Sequence, residues 1–159
     1  YPLPGIVDTP TTLSDSAWLS TLDLKSGHWQ VDIHPEDKKK TAFSAGSGLY
    51  IFTVMPFGLC NAPATFERLM EMVLRGLRWK TCLVYLDDIM VMGKKFEEHS
   101  TNLEEVFCQM KEASLKLNSK KCLLFQKEVE FLGHTVSTNG IKTTGTKISA
   151  ISRLAKTKK

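Results

Sequence analysis

The chain has 159 residues, of which 42% are hydrophobic, and a formal net charge of +4. That content supports one buried core and excludes a disordered chain, and a single-domain size is the expectation. No apolar run approaches the roughly 18 residues of a membrane-spanning helix, so no membrane partner is expected.

The first residue is Tyr1 rather than Met, with no charged-then-apolar leader, so the sequence reads as a piece of something longer. Four cysteines, Cys60, Cys82, Cys108 and Cys122, lie far apart without a CxxC pair. Three of them sit in apolar periodic segments, which points to reduced thiols, an intracellular protein and no zinc site. The scattered His28, His34, His99 and His134 argue against a histidine metal cluster. Residues 142–159 hold six basic and no acidic residues, leaving the rest at −2. Such a tail is compatible with phosphate binding but is more often a solvated end or linker.

The chain opens on YPLPGIVDTP, three prolines in ten residues, expected to be an irregular extended arm. AWLSTLDL then alternates as a strand, with Leu22 and Leu24 toward the core and Asp23 on the opposite face. Asp23 is thereby either a rigidly mounted ligand or an ordinary solvent-facing acid. GHWQVDI is expected to continue as a strand, with Trp29, Val31 and Ile33 on one face, until His34-Pro35 breaks it. Lys38, Lys39 and Lys40 form a solvated run that would also suit a nucleic-acid backbone. GSGLYIFTVMPFG reads as a glycine-led turn and a short strand.

Asn61 as N-cap and Pro63 in the first turn predict a helix over 61–77. Its stripe is Phe66, Leu69, Met70, Val73, Leu74 and Leu77, with Glu67, Arg68, Glu71 and Arg75 outward. Residues 81–93, TCLVYLDDIMVMG, predict a hairpin in which Asp87 and Asp88 interrupt an apolar run. Asp-Asp is a common turn facing water. Carboxylates held about 5 Å apart would instead repel by roughly 3 kcal/mol per pair at an effective dielectric near 20, and such a tip wants a cation. A second amphipathic helix is predicted over 96–117, with Leu103, Val106, Phe107, Met110 and Leu117 inward. A strand pair follows, residues 122–125 and 129–136, with Gly133 inside the second strand and a turn at Thr138-Asn139-Gly140.

YPLP, LDLKSGHWQV, KTAFSAGSGLYIFTVMPFGLCNAPATFERLM, VYLDDIMV and LNSKKCLLFQKEVEFLGH, in this order and spacing, closely resemble the reverse transcriptase of Ty3/gypsy-class LTR retrotransposons, across residues 1–141. The resemblance implies an α+β fold, a right-hand polymerase palm in which an antiparallel sheet packs on two helices, with part of the fingers. It divides the chain into palm and partial fingers at 1–141 and a tail at 142–159 that starts a divergent or truncated thumb. Its implied activity is RNA-directed DNA polymerisation by two-metal nucleotidyl transfer to a primer 3′-hydroxyl. A catalytically inactive retroelement remnant, or a domesticated nucleic-acid-binding fragment, is the alternative.

By resemblance Asp23, Asp87 and Asp88 are the catalytic, metal-holding carboxylates, with Asp87 central and Asp88 looser. Two Mg²⁺ ions are implied, with Mn²⁺ as substitute, since an all-carboxylate set suits hard cations. His28, Phe57 and Gly58 would meet the nucleotide, followed by Asn61-Ala62-Pro63. His28 stands where the family usually carries a bulky aromatic that blocks a ribose 2′-hydroxyl. Lys120 or Lys121 would serve as general acid to the pyrophosphate, and Phe131, Leu132 and Gly133 as primer grip. Implied partners are an RNA or DNA template-primer duplex, dNTP and the remaining Pol regions: fingers, thumb and RNase H. The fingers strand with the triphosphate-binding arginine is expected before Tyr1. Gly5 replaces a common basic residue, and the segment after Gly140 departs from the family pattern. The implied setting is a cytoplasmic retroelement particle or the nucleus.

Overall fold

The structure, a computed structural model, describes residues 15–143. The proline-rich arm with Gly5, and most of the basic tail, lie outside the described residues. In chain order the elements are β1 (Trp18–Asp23), β2 (Phe43–Ala45), β3 (Gly48–Tyr50), α1 (Ala62–Val73), β4 (Cys82–Tyr85) and β5 (Asp88–Gly93). They continue with α2 (Phe96–Glu112), β6 (Leu123–Gln126), β7 (Glu128–Phe131), β8 (His134–Ser137) and β9 (Gly140–Thr143).

The central sheet runs β4-β5-β1-β6, all neighbours antiparallel. Its period-two alternation buries both faces. Leu22, Cys82, Val84, Ile89 and Val91 face the helices and pack with Phe66, Met70 and Leu74 of α1 and Leu103, Val106 and Met110 of α2. Leu19, Leu83, Met90 and Met92 face the other way, onto Val129, Phe131 and Val136 of the β7-β8-β9 sheet. Removing this apolar surface from water, at about 25 cal/mol per Å², is what holds the three layers together. An α+β fold, antiparallel sheets with two helices, is therefore observed as expected.

Several local expectations are corrected. Residues 28–34 form no strand: a 3-10 turn spans Gly27–Gln30, entered through Ser26 at φ 53°. Gln30 pins this turn, its side-chain amide donating to the carbonyls of Lys25 and Lys116 and its Oε1 accepting from Lys116 N–H. Only Asp32 bridges to Val54.

Both helices are shorter than their apolar stripes. α1 stops at Val73, with Gly76 at φ 88° beyond it, and α2 stops at Glu112, with Ser114 at φ 57°. Asn61 precedes α1 but makes no capping hydrogen bond, so Pro63 carries the start signal. Phe107 is exposed, whereas His99 is fully buried. Glu67, expected outward, is buried. The segment around Gly133 is two strands joined by a tight turn, with Leu132 at φ 51° and Gly133 at φ 72°. Positive φ at both central residues is the geometry that matches the twist of a two-residue hairpin.

Candidate active site at the acidic hairpin tip

Asp23 ends β1 directly opposite Asp88, the first residue of β5. Opposed residues on antiparallel strands share a face, with Cβ atoms about 4.5–5.5 Å apart, so register alone makes these carboxylates neighbours. Asp87 stands in the two-residue turn Leu86-Asp87, closed by the Tyr85–Asp88 pair. Its carbonyl accepts from Leu24 N–H at 3.1 Å, which ties the turn to the end of β1.

The two adjacent aspartates are not equivalent. Asp88 joins Asp23, Lys121, Phe131 and Leu132 in lining a groove of about 250 Å³ on the β7-β8 side. Asp87 turns toward the helices: its Oδ1 is buried without a hydrogen-bond partner and lies against Gly27. A methyl group at residue 27 would overlap Asp87 Oδ1 and the Phe66 ring, so this close approach requires glycine.

Burial raises the Asp87 carboxyl above its ordinary range, helped by the charge of Asp23 and opposed by His28 and Lys121. Asp88 is raised by partial desolvation, although much of its surface is open, and then by Asp23 and Asp87, with Lys121 opposing. Lys121 Nζ lies 3.3 Å from Asp23 Oδ2. Lys120 is exposed and does not line the groove.

His28 is buried, stacked on Phe66 with centroids 4.9 Å apart, and tilted against Phe57 at 5.2 Å. Its Nδ1 has no hydrogen-bond partner. Phe57 is exposed, and Gly58 at φ 93° has open space where a side chain would stand. Here glycine answers to the backbone dihedral rather than to crowding. Phe131, Leu132 and Gly133 form the β7–β8 tip, the first two lining the acidic groove. A larger cavity of about 450 Å³, bounded by Val31, Ile33, Met55 and Leu59, contains none of these residues.

Two neighbours of the turn escaped the sequence reading: Gly27, which lies against Asp87, and Glu67, whose Oε2 accepts the backbone N–H of Leu86. Gly27 offered a signal, a glycine four residues beyond the strand aspartate; Glu67 offered none, because helical periodicity puts it on the polar side.

Among the described residues, no group of three or more His, Cys, Asp or Glu side chains is arranged to hold a metal ion. The donor chemistry nonetheless fits a hard divalent cation. Three carboxylates stand at one sheet end, Asp87 and Asp88 each raised in part by the charge of Asp23, and one buried Asp87 oxygen lacks a partner.

Residues 1–136 match the family model "Reverse transcriptase (RNA-dependent DNA polymerase)". The chain belongs to the reverse transcriptase family. It is 44% identical over 151 residues to the retrovirus-related Pol polyprotein from transposon 297 of Drosophila melanogaster, covering 95% of the chain and 14% of the relative. It is 36% identical over 151 residues to that from transposon gypsy of the same fly, covering 95% and 15%. The resemblance to gypsy-type elements read from the sequence is thus borne out, and the chain spans only a small part of these polyproteins' length.

The same reverse transcriptase fold is found in a foamy viral protease-reverse transcriptase in complex with double-stranded DNA: TM-score 0.79, 31% identity, 86% of this chain and 24% of that one. The foamy viral enzyme in complex with an RNA/DNA hybrid gives 0.77 and 29%, covering 95% of this chain and 21% of that one. Among the described residues no helix is long and apolar enough to cross a membrane.

Proposed function

We propose that this chain is the palm and partial fingers, residues 1–141, of an RNA-directed DNA polymerase, with 142–159 opening the thumb region. β9 crosses that division by two residues. The observation that carries the reading is the register that sets Asp23 against Asp88, with Asp87 in the turn between β4 and β5. Asp23, Asp87 and Asp88 would hold two divalent cations, Mg²⁺ by donor preference and Mn²⁺ as substitute. When bound, such ions stabilise the attacking and leaving oxygens of an in-line phosphoryl displacement.

The chain's own residues divide the remaining work. Lys121, 3.3 Å from Asp23, is better placed than Lys120 to neutralise or protonate a departing pyrophosphate. His28, Phe57 and Gly58 would line the incoming dNTP, with His28 held at its post by the Phe66 ring. Phe131 and Leu132, which line the groove with Asp23 and Asp88, would seat the primer end together with Gly133 beside them. The foamy viral complexes with duplex DNA and RNA/DNA hybrid support a template-primer duplex as partner. The chain would work with further Pol regions, fingers, thumb and RNase H, in a cytoplasmic retroelement particle or the nucleus; what supports a longer frame is that its relatives are Pol polyproteins.

The test is RNA-templated primer extension with Mg²⁺ by this chain restored to a full-length Pol frame. Extension is expected, with a loss of at least about a hundredfold in Asp87→Asn, since misplacement by ~1 Å already costs that much. A folded, restored enzyme that incorporates nothing would contradict the reading.

A further inference from the structure

Beneath the Leu86-Asp87 turn lies an ion cluster that the catalytic reading leaves unused. Glu67 of α1 is buried, and its two oxygens are divided between two tasks. Oε2 accepts the backbone N–H of Leu86 at 3.2 Å, and Oε1 meets Arg78 Nη2 at 2.6 Å. Arg78 also pairs with Glu71 through Nη1. Leu86 sits at φ 51°, a conformation that residues with a Cβ adopt only when their surroundings impose it.

We propose that Glu67, fixed by Arg78, is a positioning residue for the acidic turn: by holding Leu86 N–H it sets Asp87 against Gly27 and Leu24. The inference rests on the reading of Asp87 as a catalytic carboxylate. A charged acceptor binds a backbone N–H more strongly than a neutral one, so a glutamate suits a turn that must be held off its preferred dihedral. Charge alone would be a liability here, because a fourth carboxylate would add to the repulsion among Asp23, Asp87 and Asp88. Arg78 removes that liability, placing a guanidinium 2.6 Å from the same carboxyl group, so the charge is offset at the source. The chain of contacts continues past the turn. Asp87 carbonyl accepts Leu24 N–H at 3.1 Å, so release of Leu86 should be felt at Leu24 as well.

A plain structural brace would stabilise the whole fold without singling out the turn, and amide hydrogen exchange on the chain separates the two. In Glu67→Ala the Leu86 and Leu24 amides should exchange about 10- to 100-fold faster, the range set by loss of a hydrogen bond to a charged group. Met92 and Met55, whose amides bond to Thr81 and Val31 carbonyls elsewhere, should stay within roughly twofold, because local opening leaves distant units closed. Glu67→Gln keeps an acceptor of the same shape but gives up the charge, so both turn amides should exchange faster than in the parent and slower than in Glu67→Ala. If the alanine variant fails to fold, Glu67→Met, which fills the volume with no acceptor, replaces it.

Uniform acceleration of all four amides would overturn the proposal, as would unchanged Leu86 exchange, or acceleration at Leu86 with Leu24 unmoved. A separate arm follows Mn²⁺-induced broadening of the Asp23 and Asp88 amides in the parent chain. Absence of broadening there would count against the metal reading, while the exchange arm still decides whether Glu67 holds the turn.

Discussion

Two hairpin tips flank the acidic end of β1, and both start with a leucine in the left-handed region, Leu86 at φ 51° and Leu132 at φ 51°. At the β7–β8 tip the second residue is Gly133, at φ 72°, and Leu132 packs on the core beneath it. At the β4–β5 tip the second residue is Asp87, and the turn is fixed by neighbours: Glu67 on Leu86 N–H, Leu24 on the Asp87 carbonyl, and Gly27 leaving room for the carboxylate. One tip is specified by its own sequence. The other is specified by what packs around it, which is where a fold places residues whose conformation serves chemistry rather than stability.

The contrast can be broken most forcefully at Gly27. Gly27→Ala must displace Asp87 Oδ1 or the Phe66 ring, and overpacking of this kind costs about 1–3 kcal/mol. Chemical denaturation should show that loss, accompanied by shifts at Asp87 and none at the β7–β8 tip. Gly133→Ala should cost about 1–2 kcal/mol, because a Cβ is forced into the left-handed region. Its disturbance should stay within β7 and β8.

Leu86→Gly and Leu132→Gly sharpen the comparison further. Leu86 is not among the residues packed on either core cluster, so relief of its dihedral should offset the added freedom of the unfolded chain, for a gain of up to about 1 kcal/mol. Leu132→Gly removes packing along with strain and should be destabilising by melting.

The smallest effects are those of pH, and the acidic tip and the core oppose each other. His99 is fully buried against Ser20 Oγ, 2.7 Å from Nε2, and burial lowers its pKa below 6.5. The unfolded chain therefore binds the proton first, and stability falls as pH drops through 6.5 toward the folded value. Asp87 and Asp88 are raised above 3.8, so the folded state binds their protons first. Their contribution is fully present below 3.8 and is lost as pH rises through the folded values. His99→Gln should flatten the first slope in pH-dependent melts, and the Asp87→Asn/Asp88→Asn pair should flatten the second.

How far the sequence carried follows the same division. The period-two run around Asp23 and the apolar flanks of Asp87-Asp88 marked β1, β4 and β5, because both faces of that sheet are covered and its strands have no freedom to be polar. The stripe from Phe66 to Leu74 marked α1 for a similar reason. Gln30 was illegible, since the 3-10 turn it pins depends on the carbonyl of Lys116, far along the chain. Glu67 was misread as solvent-facing because its partners, Arg78 and Leu86, lie outside its helix. His99, on α2, was passed over because the partner of its buried Nε2 is Ser20, far away in the chain on β1. Local pattern reports burial; it does not report which distant polar group completes a buried one.

The central claim, that Asp23, Asp87 and Asp88 form a divalent-cation site, is tested most directly by the melting temperature of the folded chain in ~10 mM Mg²⁺ against chelator. Preferential binding to the native state would stabilise it by about 2.7 kcal/mol at a hundredfold excess over Kd. The account expects a clear upward shift in the parent chain that Asp87→Asn removes for the most part. Equal melting temperatures with metal and with chelator, or a shift that survives Asp87→Asn unchanged, would contradict it.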